Sequence, residues 1–174
     1  MQTCSAISLS GGQGKTTTIF FTALLLAKQG KKVLVIDADP QANLTFYLNH
    51  EVQADDPSLF EVLTREVTIE DGIYETQYEN LFIVPADTGL FKVSDRLSSS
   101  GAGAFALRRC LKDVADIFDY TLIDVQPSRS QISLTAAGAS NHVLIPVEAN
   151  VKGVNSLVVT LAFLDEQADI EAFN

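Results

Sequence analysis

The segment that most limits how this chain can fold is Ser10-Gly11-Gly12-Gln13-Gly14-Lys15-Thr16-Thr17, set between the apolar run Cys4 to Leu9 and a helix-forming stretch. A strand that turns through glycines straight into a helix aims backbone N–H groups and the positive end of the helix dipole at one point, which suits a polyphosphate. The glycines let the backbone wrap closely around the anion, Lys15 can reach β- and γ-phosphates, and the Thr16 hydroxyl can ligate magnesium. Gly11, Gly12, Gln13, Gly14, Lys15, Thr16 and Thr17 are therefore the candidate binding residues. Leu9 stands where the ordinary phosphate-loop pattern has its first glycine, so the loop fits the deviant form with paired glycines. Gly12-x-Gly14, with Asp37 ending a later strand, partly matches the dinucleotide fingerprint, but Thr17 occupies the place of its third glycine.

Other strand-length apolar runs follow at Val33 to Ile36, Leu81 to Val84, Tyr120 to Ile123 and His142 to Val147. They are apolar almost throughout, as a parallel sheet covered by helices on both faces requires. The expected class is α/β, a doubly wound, mostly parallel sheet of the P-loop NTPase type. The first helix, Lys15 to Gln29 and stopped by Gly30, is apolar around most of its circumference and reads as largely buried. A later one places Leu107, Leu111, Val114 and Phe118 on one stripe, and the last does the same with Val154, Leu157, Val158 and Leu161, both predicted to face the sheet. Between residues 50 and 80 the chain is acidic and irregular, with a short helix capped at Asp56 or Ser58.

At 174 residues and 47% hydrophobic content the chain reads as one compact domain with a proper core. It closes at ADIEAFN, where a doubly wound sheet would place another strand, so a C-terminal strand and helix region is expected to be missing. Cys4 and Cys110 form no CxxC pair, which suggests neither zinc nor disulfides and fits a reducing cytoplasm. No apolar stretch approaches the ~20 residues of a membrane span, so a membrane is not expected as a partner. A net charge of −10, from 22 acidic against 12 basic residues, is not the footprint of a dedicated nucleic-acid binder, and DNA contact would need a local patch.

Acids end two of the strands. Val35-Ile36-Asp37-Ala38-Asp39-Pro40 carries two carboxylates to the edge where the loop lies, where both can face a metal and a γ-phosphate. Ile123-Asp124 ends an apolar run in a single acid, the pattern of a residue holding magnesium through water. Each can also cap a helix or mark the exit from a strand.

SGGQGKTTT, VLVIDADPQANLT, YTLIDVQPS and HVLIPVEA, in this order and spacing, resemble the ParA/MinD family of deviant Walker ATPases over nearly the whole chain, with DPQANLT pointing to the ParA branch. The resemblance implies ATP and Mg2+ as ligands, Lys15 and Thr16 in the phosphate and magnesium roles, Asp39 positioning the attacking water, and Asp124 as the Walker B aspartate. It further implies a slow ATPase that forms a homodimer with ATP, binds nonspecific nucleoid DNA, and is triggered by an adaptor protein of the McdB/ParB type.

Ser10 departs from the pattern, because the family's lysine at this position reaches across the dimer to the partner's ATP. The serine-bearing loop and VQPSRSQISLT resemble the branch that spaces carboxysomes over the nucleoid. Another cation must then offset the phosphate charge. Lys152 is the candidate: it follows the strand ending at Val147 and should emerge at the sheet edge beside the loop, whereas Lys28, Lys31 and Lys32 lie at the far end of their helix. A solvated lysine starting the last helix is its alternative reading. Arg129 is a second cation near that edge, readable as an arginine finger or as a surface contact, and Gln126 replaces the first proline of the usual Asp-x-Pro-Pro. His50 and His142 lack ligand spacing and are assigned structural roles. Plasmid partition, a metabolic enzyme on the same loop, and a nucleotide-binding module without turnover are the competing functions.

Overall fold

A computed structural model describes residues 1–93, 96–97 and 103–172, with residues 167–172 described by backbone alone. Six strands, β1 (Gln2–Ala6), β2 (Val33–Ala38), β3 (Tyr74–Glu75), β4 (Leu81–Val84), β5 (Tyr120–Val125) and β6 (His142–Leu144), form one sheet in the order β3-β4-β2-β5-β1-β6. All pairings are parallel except that of β3 with β4. The helices are α1 (Lys15–Lys28), α2 (Asn43–Tyr47), α3 (Leu59–Thr64), α4 (Ala106–Asp113), α5 (Gln131–Ala139) and α6 (Val151–Ala172).

The sheet is doubly wound, as its apolar strands require. Along β2, Val33 and Val35 pack with Ile19, Ala23 and Ala27 of α1, whereas Leu34 and Ile36 pack with Leu59 of α3, Leu107 of α4 and Ile132 of α5. Successive strand residues face opposite ways, so a strand covered on both faces must be apolar throughout. All six β2 residues are buried.

Several boundaries differ from the expectation. β1 and β6 end earlier than Leu9 and Val147, because the chain there turns into the loops of the sheet's carboxyl edge. β2 and β5 run on through Asp37 and Val125. β3 was not expected: two residues are too few to show a period, and its pairing of Tyr74 with Ile83 depends on the turn at Asn80. Ser58, rather than Asp56, caps α3, accepting the Phe60 N–H while its own N–H donates to Glu61 Oε2.

Two helix faces are corrected. α1 is not buried around most of its circumference, since Phe21 and Leu25 are 57% and 60% exposed. In α6 the apolar stripe faces outward: Val154, Val158 and Leu161 are exposed, and the buried face is Gly153, Ser156, Thr160 and Phe163. Hydroxyls win this face because they bond the start of the glycine loop: Ser156 Oγ lies 3.0 Å from Ser8 Oγ, and Thr160 Oγ1 accepts the Leu9 N–H at 3.1 Å. The stripe of Leu107, Leu111, Val114 and Phe118 is buried as expected, although α4 itself ends at Asp113. The closing ADIEAFN extends past the described residues at positions 173–174.

Candidate nucleotide site

The glycine loop leaves β1 and passes into α1 without an intervening turn of coil. Gly12 and Gly14 take φ of 78° and 82°, a left-handed conformation that costs other residues about 1–2 kcal/mol. Gly14 is the N-cap of α1, and its carbonyl accepts both the N–H and the hydroxyl of Thr18, at 2.9 and 2.7 Å. No acidic residue stands in the first turn of α1 to quench its positive end. A cleft of about 530 Å³ opens there, lined by every residue from Gly11 to Thr17 together with Asp39, Gln41, Asn43, Tyr47, Gln126 and Pro127. The structure thus brings all seven loop candidates and Asp39 to one cavity.

The three acids do different things. Asp37 is wholly buried and already engaged: it accepts the Asp39 N–H at 3.1 Å and both the N–H and hydroxyl of Thr45 at 2.8 Å. Burial pushes its pKa up to about 6 against the pull of those bonds. Its expected role facing a metal and γ-phosphate is therefore corrected, because its oxygens are committed to shaping the β2–α2 turn. Asp39 accepts the Gln41 N–H at 2.9 Å through Oδ1, and no hydrogen bond among the described residues engages its other oxygen.

Asp124, the register partner of Asp37, is wholly buried with both carboxylate oxygens lacking a hydrogen bond among the described residues. Burial pushes its pKa up to about 7, the neighbouring Thr16 hydroxyl and Lys15 opposing and the charges of Asp37 and Asp39 adding to the rise. A buried acid with empty acceptors is what a cation, or its bound water, would satisfy. Lys15 is itself buried, which lowers its pKa, while Asp124 and Asp39 pull the other way. The Thr16 hydroxyl beside the buried, unsatisfied Asp124 is a donor set that fits a magnesium ion completed by phosphate and water oxygens.

Lys152 stands on the first turn of α6, and its ammonium donates to the Gly11 carbonyl at 3.5 Å. Ser10 and Lys152 both line a groove of about 450 Å³ beside the loop. Arg129 turns away to Glu166, at 3.4 Å, and stacks over Phe163, so α6 rather than the cleft holds it. Gln126 lines the cleft and donates to Ser130 Oγ at 3.0 Å. His50 packs on Tyr74, and His142 lies exposed on β6. Sequence reasoning missed Thr45, a polar residue in an otherwise ordinary DPQANLT context, and missed the side chain of Gln13, whose Oε1 accepts the Glu148 N–H at 3.0 Å.

Comparison with known proteins accords with this geometry. Residues 1–172 match the family described as AAA domain. The maintenance of carboxysome distribution protein A of Gloeothece citriformis is 48% identical over 173 residues, covering 99% of this chain and 67% of the relative. The ATP complex of a variant McdA from Cyanothece superposes with a TM-score of 0.95 at 47% identity, covering 98% of this chain and 65% of that one. The cobyrinic acid a,c-diamide synthase of Mycobacterium smegmatis with bound ADP and magnesium is more distant, with a TM-score of 0.87 at 28% identity over 95% of this chain and 69% of that one. The chain spans about two thirds of the length of the relatives it matches.

Proposed function

The chain belongs to the AAA-domain family of ParA-type ATPases that includes the carboxysome distribution proteins A, and from that membership we propose that it binds Mg-ATP, dimerises around it and positions carboxysomes over the nucleoid. The observation that carries this reading is the shared cleft of Gly11 to Thr17 and Asp39, with Asp124 buried beneath and Lys152 at its rim.

In this reading the loop amides and the α1 dipole hold the β- and γ-phosphates, and Lys15 neutralises them from its buried position. Bound magnesium would supply charge neutralisation across the phosphates, held by the Thr16 hydroxyl and, through water, by Asp124. The free oxygen of Asp39 orients the attacking water. Lys152 takes the part of the absent loop lysine, its ammonium already beside Gly11 and able to reach a partner's phosphates across the dimer.

Hydrolysis is slow and stimulated by an adaptor of the McdB/ParB type, and the ATP dimer holds nonspecific nucleoid DNA in the cytoplasm. No described helix is long and apolar enough to cross a membrane. The open edge of β6 and the exposed Val154, Val158 and Leu161 are surfaces that a further C-terminal strand and helix would cover in a single P-loop domain.

Light scattering on the full-length chain tests the switch. A dimer is expected with Mg-ATP in the Asp39→Ala background, and monomer with ADP or no nucleotide. Lys152→Ala should weaken that dimer, and a Lys152→Ala protein that dimerises like its parent would remove Lys152 from the mechanism. Plasmid partition shares this chemistry and differs only in cargo. The metabolic reading is disfavoured by 28% identity to the synthase against 48% to the carboxysome proteins. A module without turnover would be recognised by an ATPase rate that Asp39→Ala leaves unchanged.

A further inference from the structure

Gln13 is 6% exposed, and the two polar atoms of its side chain have different fates. Oε1 accepts the backbone N–H of Glu148 at 3.0 Å, while Nε2 is buried with no partner among the described residues. Burying an amide with one end unpaired is costly, so the bond to Glu148 is formed despite a penalty that an apolar side chain would avoid.

Glu148 is also fixed from the opposite side. A Cβ on Gly153 would collide with the Glu148 carbonyl, so α6 can approach this turn only because glycine stands there. Between the two, Asn150 caps the helix: its N–H donates to the Glu148 carbonyl at 2.7 Å, and its Oδ1 accepts the Gly153 N–H at 2.9 Å. Lys152 lies within this assembly, one residue before Gly153. The chain of contacts therefore runs from the phosphate loop through Gln13, Glu148 and Asn150 to the first turn of α6, and returns to the loop where Lys152 meets Gly11.

From this closed circuit we infer that Gln13 is a positioning residue, whose side-chain amide sets where Lys152 stands relative to the phosphate loop. The inference rests on the reading of Lys152 as the cation offered to the partner's nucleotide. Its part in this is played through Oε1, which holds the turn that carries Lys152.

A double-mutant cycle tests this on the full-length chain, with dimer dissociation constants measured by sedimentation equilibrium at saturating Mg-ATP in the Asp39→Ala background. Gln13→Met removes the acceptor at nearly constant volume. It should weaken the dimer about tenfold where Lys152 is present, equivalent to about 1.4 kcal/mol, and by less than about twofold where Lys152 is already alanine. Gly153→Ala, which displaces the same turn from its other side, should show the same dependence on Lys152, and it serves if Gln13→Met does not fold. Equal weakening with and without Lys152 would overturn the inference, since Gln13 would then act on the loop alone. A full-strength Lys152→Ala dimer would instead overturn the underlying reading of Lys152, an outcome distinct from the first.

Discussion

Asp37 and Asp124 occupy paired register positions on the adjacent parallel strands β2 and β5, both wholly buried, the first hydrogen-bonded through both oxygens and the second with neither oxygen satisfied among the described residues. Their pKa values are raised from 3.8 to about 6 and about 7, burial being the main cause in each. The native state therefore holds protons that the unfolded chain has already released, and it loses stability as pH rises from 3.8 through about 7.

Thermal unfolding of the nucleotide-free protein should consequently shift to higher temperature as the pH is lowered from about 8 to about 6. Each pH unit by which a buried acid is raised corresponds to about 1.4 kcal/mol. Asp124→Asn should flatten this dependence and stabilise the nucleotide-free protein at alkaline pH by on the order of 2 kcal/mol. A midpoint that does not move with pH in the parent protein would contradict the assignment.

Asp39 contributes little to holding the fold, since its one side-chain hydrogen bond among the described residues is to Gln41 in its own turn. Asp39→Ala should leave ATP affinity within a few-fold and lower steady-state turnover by about a hundredfold or more, the usual range for losing a group that manages a proton or water. Comparing equilibrium nucleotide binding with phosphate release separates the two effects. Equal loss of both would place Asp39 in binding instead.

Thr45 joins two strands' exits through one hydroxyl, which donates to Asp37 and accepts the Ala86 N–H at 3.1 Å. Thr45→Val keeps the shape but leaves an amide and a carboxylate oxygen short of a partner. A loss of about 2–4 kcal/mol in urea unfolding is expected, each orphaned buried group costing roughly 1–3 kcal/mol. Thr45→Ser, which keeps the hydroxyl, should recover most of it.

Ala42 is held at φ 53° as the N-cap of α2, a left-handed conformation without glycine's freedom. Ala42→Gly should stabilise the protein by up to about 1 kcal/mol, the relief of strain exceeding the added entropy of the unfolded chain. Chemical denaturation measures the sign directly, and a destabilised variant would mean that the methyl group packs more usefully than the backbone is strained.

Much of this architecture was readable because it rests on patterns that leave no alternative. A β2 strand covered on both faces must be apolar at every position, and the Gly14-Lys15-Thr16 junction admits few structures other than a phosphate-binding helix start. The errors came where polar contacts overrode hydrophobicity. On α6, Ser156 and Thr160 displaced Val154 and Val158 from the buried face because Ser8 and the Leu9 amide needed partners, a requirement visible only once the elements are assembled. Asp37 was misassigned for the same reason: its position beside Asp39 implied the cleft, but Thr45, eight residues away, claimed its Oδ2 and the Asp39 N–H its Oδ1.

The hydroxyl seam between α6 and the glycine loop has a mechanical meaning of its own. Methyl groups in van der Waals contact tolerate sliding, since one methyl replaces another at little cost. The bonds of Ser156 to Ser8 and of Thr160 to Leu9 saturate in one register only. Moving α6 by one turn, about 5.4 Å along its axis, would take from the half-buried Leu9 amide and the buried Ser156 hydroxyl their partners at once. The helix is thereby indexed along its length, and the ammonium at its head is delivered to a fixed depth at the mouth of the cleft.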